Sequence, residues 1–178
     1  MAADGLKGVS EGREMTEFPM LNFTPAALRL DARISYHDNT AEGVFEVMGD
    51  PERITDWYLL AKQVHMGPDT AEGDQQFNVE FTFFGNVHEE VLHWDPPHRY
   101  VYKASGPDFP IKDYVACIEV VANSHRSGEL RWQIYCDVIE GEHYQRILPA
   151  ILPTITEVSM EKLCGLIGGG THSVTSYF

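Results

Sequence analysis

Hydrophobic and polar residues alternate through the middle of the chain, and the alternation predicts strands. From Leu28 to Tyr36, the residues Leu28, Leu30, Ala32, Ile34 and Tyr36 alternate with Arg29, Asp31, Arg33 and Ser35. That is the period of two expected of a half-buried strand. Gln76 to Phe84 repeats the pattern, with Phe77, Val79, Phe81 and Phe83 on one side. Gly85-Asn86 is a two-residue hairpin signal, and Val87 to Trp94 runs back. Asp95-Pro96-Pro97-His98 predicts a turn, because two prolines cannot sit inside a paired strand. Further strands are expected at Tyr100 to Ala104, Ile111 to Ala122 and Leu130 to Val138, and a weaker one at Ala61 to Met66.

Two short helices are expected after the first strand. Asn39 or Thr40 can cap the first, before Val44, Phe45, Val47 and Met48. Asp50 can cap the second, with Pro51 in its first turn and Ile54, Trp57 and Tyr58 turned inward. Near the C-terminus Leu152, Ile155, Ser159, Met160, Leu163, Leu166 and Ile167 recur at helical spacing. Thr154-Ile155-Thr156-Glu157 matches a capping box, and Gly168 is a natural stop. Pro149 and Pro153 predict a kink or a break upstream. Residues 1–20 show no period and read as a flexible extension, 21–168 as one domain, and 169–178 as a loose C-terminal tail.

Composition narrows the partners. The chain has 178 residues, 43% of them hydrophobic and 22% charged, enough for one real core. Its formal net charge of -14 repels phosphate backbones, so neither nucleic acid nor an anionic membrane surface is an expected partner. No stretch has the length of a membrane span, and no basic segment followed by an apolar one opens the chain. Three cysteines without CxxC spacing argue against a disulfide framework. The expected location is cytoplasmic.

Strand, two short helices, a run of antiparallel strands and a long helix: this order resembles the helix-grip fold of the START-like (SRPBCC) superfamily. The likeness is to its polyketide cyclase/dehydrase and lipid-transport branch. Asp50-Pro51-Glu52-Arg53-Ile54-Thr55-Asp56-Trp57 is similar to that branch's second helix. Glu90 to Tyr102, with Trp94-Asp95-Pro96-Pro97-His98-Arg99 at its centre, resembles one of its hairpins. Gly128-Glu129-Leu130-Arg131-Trp132 resembles the start of its last strand. The resemblance covers residues 28–168. It implies an α+β fold in which a curved antiparallel sheet wraps a long C-terminal helix and leaves a cavity between them.

Alternation supplies that cavity with candidate ligand-binding residues: Phe77, Val79, Phe81, Phe83, Leu92, Trp94, Tyr114, Ile118, Trp132 and Ile134. Such a lining suits a hydrophobic small molecule, a lipid, quinone or polyketide. The competing reading is that these side chains only fill the core. If Gly85 and Asn86 are the two turn residues, Phe83 lies opposite His88 and Phe81 opposite Glu90. His88 and Glu90 then point inward, and Glu90 becomes the candidate acid/base, with His88 and Tyr102 beside it. Against this, Glu90 can pair with a neighbouring cation or sit at a wet cavity mouth, and a one-residue slip moves it outside. His88, His93 and His98 are spaced by five, which puts His88 and His93 on opposite faces of a strand. No metal site and no cofactor are expected. Three functions remain open: a carrier of a hydrophobic ligand, an aromatase/cyclase-like enzyme promoting aldol closure and dehydration, and an interaction module.

Overall fold

The computed structural model describes residues 19–68 and 75–178; of the expected N-terminal extension, residues 1–18 lie outside them. Among the described residues, eight antiparallel strands form one open sheet: β1 (Leu28–His37), β2 (Ala61–Met66), β3 (Gln76–Phe81), β4 (Gly85–Asp95), β5 (Arg99–Ser105), β6 (Ile111–Ser124), β7 (Ser127–Val138) and β8 (Gly169–Ser176). Their spatial order is β2-β3-β4-β5-β6-β7-β1-β8. Two short helices, α1 (Ala41–Gly49) and α2 (Ile54–Trp57), follow β1, and the long helix α3 (Glu142–Ile167) packs on the inner face of the sheet. This is the expected helix-grip architecture.

Local chemistry sets the two short helices. The Thr40 hydroxyl accepts the Gly43 N–H at 3.1 Å and starts α1. The Asp50 carboxylate accepts the Glu52 N–H at 3.0 Å and opens a single 3-10 turn that runs into α2. Each satisfies a donor that the first turn leaves free. Behind them the inner face of the sheet carries Leu30, Ala32, Ile34 and Tyr36 from β1, and Leu130, Trp132, Ile134 and Cys136 from β7, all buried in one cluster with α1 and α3.

The outer face is organised by charge and by one apolar strip. Asp31 is buried there, and Arg131 grips its carboxylate with two hydrogen bonds of 3.0 and 2.6 Å. Burial pushes the Asp31 carboxyl up, but the hydrogen bonds and charges of Arg131 and Arg33 outweigh it and hold the group below its ordinary value. Met20 covers Val101, Val115 and Cys117. The expected extension therefore overreaches at Met20, which is buried because this strip needs a cover.

The C-terminal third differs from expectation at three points. Helix α3 runs unbroken from Glu142 through Pro149 and Pro153. A proline inside a helix removes one donor and crowds the preceding turn; burial of Leu148 and Leu152 on either side of Pro149 keeps the segment helical. Thr154 is consequently no cap, and its hydroxyl donates to the Ala150 carbonyl at 3.1 Å. Leu166, placed in the buried stripe by its spacing, is 43% exposed, whereas Leu163 and Ile167 are fully buried. Finally, residues 169–178 do not form a loose tail. Gly168 stops α3 in the left-handed conformation at φ 71, and β8 returns along β1 from Tyr36↔Gly169 to Leu30↔Ser176. Only Gly169, His172 and Val174 of β8 are half-buried, so its sequence carries little apolar alternation; it is held by backbone pairing to the edge of β1, by Val174 against the core and by His172, 3.1 Å from Glu157 of α3.

The packing of α3 predicts a contrast between two leucines. Leu163→Ala should lower the unfolding free energy by about 2–5 kcal/mol, the range for a truncated core leucine. Leu166→Ala should change it by less than about 0.5 kcal/mol. Chemical denaturation of both variants checks the phase of the helix.

Candidate ligand-binding cavity

The turn between β3 and β4 decides which side chains enter the interior. β3 ends at Phe81, not Phe84. Thr82 bonds back to the Leu60 carbonyl through its N–H at 3.0 Å and its hydroxyl at 3.2 Å. Thr82, Phe83 and Phe84 form the turn, and Gly85 closes it at φ 63, a conformation that glycine adopts without strain. Phe81 therefore pairs with Gly85, Val79 with Val87, and Phe77 with Glu89. This is the three-residue loop closed by a left-handed glycine rather than the two-residue Gly-Asn turn.

Because side chains alternate, the changed pairing reverses the faces of β4. Val87, Glu89 and Val91 point inward and are buried. His88 and Glu90 point outward, so neither is the interior acid/base expected of it. Glu90 pairs with Lys103 opposite it and forms an ion pair of 2.9 Å. Pairing between β4 and β5 then shifts between Val91 and His93. Leu92 packs on the outer apolar strip, and Trp94 returns to the inner side, against Phe45 and Tyr100.

A cavity of about 50 Å³ lies among β4–β7, α2 and α3. As it stands it has room for a few waters, not for a drug-sized ligand of a few hundred Å³ or more. Aromatic side chains keep it small: Tyr58 meets Phe81 at 5.4 Å between ring centroids, Trp57 meets Trp132 at 5.6 Å, and Phe84 meets Phe109 at 5.9 Å. Of the expected ligand-binding residues, Phe81, Tyr114, Trp132 and Ile134 line it, as does Tyr102. Phe77, Val79 and Ile118 are packed in the core away from it. Phe83, Leu92 and Trp94 are outside it, Phe83 being 76% exposed on its turn.

The polar chemistry of the cavity centres on Glu89. It is 7% exposed, and the cavity it faces is also lined by Tyr58, Tyr100, Tyr102 and Tyr114. No Lys, Arg or His lines the cavity among the described residues. Burial without a compensating cation pushes the Glu89 carboxyl up to about 8. Burial likewise raises all four phenols, so they remain neutral hydroxyls. The Tyr102 and Tyr114 hydroxyls share a hydrogen bond, and Tyr100 donates to the Met48 carbonyl at 2.6 Å. Sequence reading missed Glu89 although Val87, Glu89 and Val91 form a short alternation of their own; the run of glutamates at 89 and 90 offered both faces, and the turn signal chose the wrong one. The thiols of Cys117 and Cys136 are pushed up to about 12 by burial, which leaves them unreactive.

The chain belongs to the polyketide cyclase/dehydrase and lipid transport family, whose model matches residues 35–162. A comparison with curated proteins returned no match. Among solved structures, the chain is similar to the Zhui aromatase/cyclase from Streptomyces sp. R1128, with a TM-score of 0.66 at 12% identity, covering 78% of this chain and 93% of that one. It is also similar to a START superfamily protein from Mycobacterium smegmatis, with a TM-score of 0.56 at 11% identity over 80% and 95% of the two chains. Norcoclaurine synthase from Thalictrum flavum, solved with a transition-state analogue, gives a TM-score of 0.58 at 14% identity over 80% and 95%. At these identities the likeness is one of fold.

The buried carboxyl has a signature in stability. Its folded value of about 8 lies above the ordinary 4.5, so folding retains a proton that the unfolded chain releases between those two values. Stability from this group is therefore full below pH 4.5 and is lost as pH rises to 8, at about 1.4 kcal/mol per unit. Glu89→Gln cannot ionise. Relative to the parent, its unfolding free energy should rise steadily across that window and level off above it. Urea denaturation of both proteins at a series of pH values measures the difference; a pH-independent gap would place Glu89 in contact with water.

Proposed function

We propose that this member of the family binds a small, flat, oxygen-bearing hydrophobic molecule in the cavity between the sheet and α3. The observation that carries the reading is Glu89: a carboxyl facing an aromatic cavity, without a cation and neutral at pH 7. A site for a plain hydrocarbon chain gains nothing from a buried acid and four phenols, because unpaired polar groups in an apolar site are costly. A ligand with oxygen atoms gives those hydroxyls partners. The size of the cavity favours a compact ring system over a long acyl chain, and admitting even a bicyclic molecule requires Phe84 and Phe109 to part. Both sit in connecting segments, the β3–β4 turn and the β5–β6 loop, where backbone moves with least loss of pairing.

Glu89 also favours a second reading, acid/base catalysis of the kind named for the aromatase/cyclase neighbour. A carboxylic acid poised near neutral pH can give a proton to a developing enolate or carbonyl oxygen and later recover it, and a dry site strengthens such transfers. Tyr58, Tyr102 and Tyr114 would then donate hydrogen bonds to substrate oxygens. Under this reading Glu89→Gln abolishes turnover and retains binding; under the carrier reading it alters affinity alone.

The location of binding is tested with Nile red, a neutral apolar dye. Saturable binding with blue-shifted emission is expected. Ala104→Phe fills the cavity and should weaken binding by about tenfold or more, the effect of losing roughly 1.4 kcal/mol. Phe83→Ala, on the exposed turn, should leave it unchanged. The opposite pattern would place the dye on the surface and reject the cavity.

A further inference from the structure

The two edges of the sheet are protected unequally. β2 is short, its pairing with β3 shifts between Ala61 and Gln63, and Lys62 projects from it, 3.4 Å from Glu80. A lysine and an irregular register are common means by which an edge strand avoids joining another sheet. β8 has neither over its regular span. Residues 163–178 contain no Asp, Glu, Lys, Arg or Pro, in a chain with 27 acidic and 13 basic residues. The pairing of β8 with β1 is irregular only at Gly170. From Thr171 the register is unbroken to Ser176, and the Tyr177 N–H continues it to the Arg29 carbonyl at 2.8 Å. That last bond fixes which backbone groups are used, because successive residues of a strand turn their N–H and C=O groups to opposite sides. Tyr177 turns its own toward β1, and so do Thr171, Ser173 and Thr175. His172, Val174 and Ser176 turn theirs to the open edge, where no strand pairs with them among the described residues.

We propose that β8 is a self-pairing edge: two copies of this chain join β8 to β8, antiparallel, about a two-fold axis at Val174, and form one continuous sheet. A second copy is the occupant because the regular span is complementary to itself. Centred on Val174, Thr171–Tyr177 pairs over its whole length. Val174 meets its counterpart, His172 meets Ser176 of the second copy, Ser173 meets Thr175, and Thr171 meets Tyr177. The residues that turn their backbone groups to the open edge then exchange about six hydrogen bonds. No charge faces a like charge, which an acidic edge could not avoid in a chain of net charge -14. Val174 is half-buried against the core, so on the inner face the two valines meet and carry the core across the axis. His172, 3.1 Å from Glu157 of α3, holds the edge in place. The contact is closed: a two-fold axis uses the same edge of both molecules and leaves β2, with its lysine, at each end. β8 lies beyond residues 35–162, so this edge is the chain's own addition to the family domain.

Sedimentation of the full chain over about 1–500 µM reads the mass, and an equilibrium between monomer and dimer is expected, without larger species. Two double variants at Ser173 and Thr175, both exposed, separate edge pairing from folding. Ser173→Lys with Thr175→Lys sets lysine against lysine on both sides of the axis and should weaken the dimer by about tenfold or more. Ser173→Glu with Thr175→Lys sets glutamate against lysine at the same positions and should match or exceed the parent's affinity. Cross-linking reads the register and stays informative if a double variant fails to fold. Ser173→Cys mixed with Thr175→Cys should give a disulfide-linked dimer under mild oxidation, because directly opposed residues that exchange no backbone bonds stand about 4.5 Å apart at Cα. Neither single variant alone should do so beyond the parent, which carries Cys164 and serves as the control, since its own counterpart lies past a disulfide's reach of about 7 Å. A chain that stays monomeric throughout the range overturns the proposal. So does equal weakening by both double variants, or Ser173→Cys cross-linking to itself better than to Thr175→Cys.

Discussion

A carboxyl group enclosed by apolar and aromatic side chains, with no cation beside it, cannot keep its charge, and the function proposed for this protein depends on that constraint. Glu89 is enclosed in this way. In water its proton would be lost well below neutral pH; inside the sheet the proton stays to about pH 8. The same low-polarity surroundings keep the neighbouring phenols neutral. The interior thus presents uncharged donors and no fixed charge, while the net charge of -14 is spread over the rest of the molecule. Among the described residues, three arginines are spent on carboxylates outside the cavity, Arg131 and Arg33 on Asp31 and Arg99 on Glu119.

What places Glu89 inside is the register of one hairpin. The Thr82 contacts to Leu60 end β3 at Phe81, and the left-handed Gly85 starts β4. Every side chain of the strand as far as Val91 follows from that choice. The shift in pairing near Leu92 then returns Trp94 to the inner side. A strand with two consecutive glutamates between valines tolerates either face by composition alone, so the turn settles which carboxyl is buried and which meets Lys103.

The order of elements, the two short helices with their caps, and the closing helix were legible because each is a local pattern: alternation, a capping side chain before an apolar stripe, a helical period ending at glycine. Phe81, Tyr114, Trp132 and Ile134 were legible as inward residues for the same reason, whereas the face of Tyr102 depended on the turn that precedes its strand. Glu89 was not, since strand register is set by contacts between Thr82 and Leu60 that no local pattern encodes. Strand β8 was equally hidden, because Val174 is the one apolar side chain it turns toward the core, too little for an alternation, and its position follows from backbone pairing to β1. Helix α3 crosses two prolines because burial of Leu148 and Leu152 outweighs the lost donors. Leu166 falls outside the buried stripe although its spacing admits it, because Leu163 and Ile167 already occupy the face turned to the sheet.

The ionisation of Glu89 itself is the most direct test of this account. Carbon NMR of the glutamate side-chain carboxyls across a pH titration, with Glu89→Gln to assign the resonance, reports the group without reference to any ligand. The account predicts one carboxyl resonance that titrates near pH 8 and is absent from the variant. A Glu89 resonance titrating near its ordinary 4.5 would mean that the carboxyl is charged and solvated at neutral pH. The neutral donor cavity, and the function built on it, would then be contradicted.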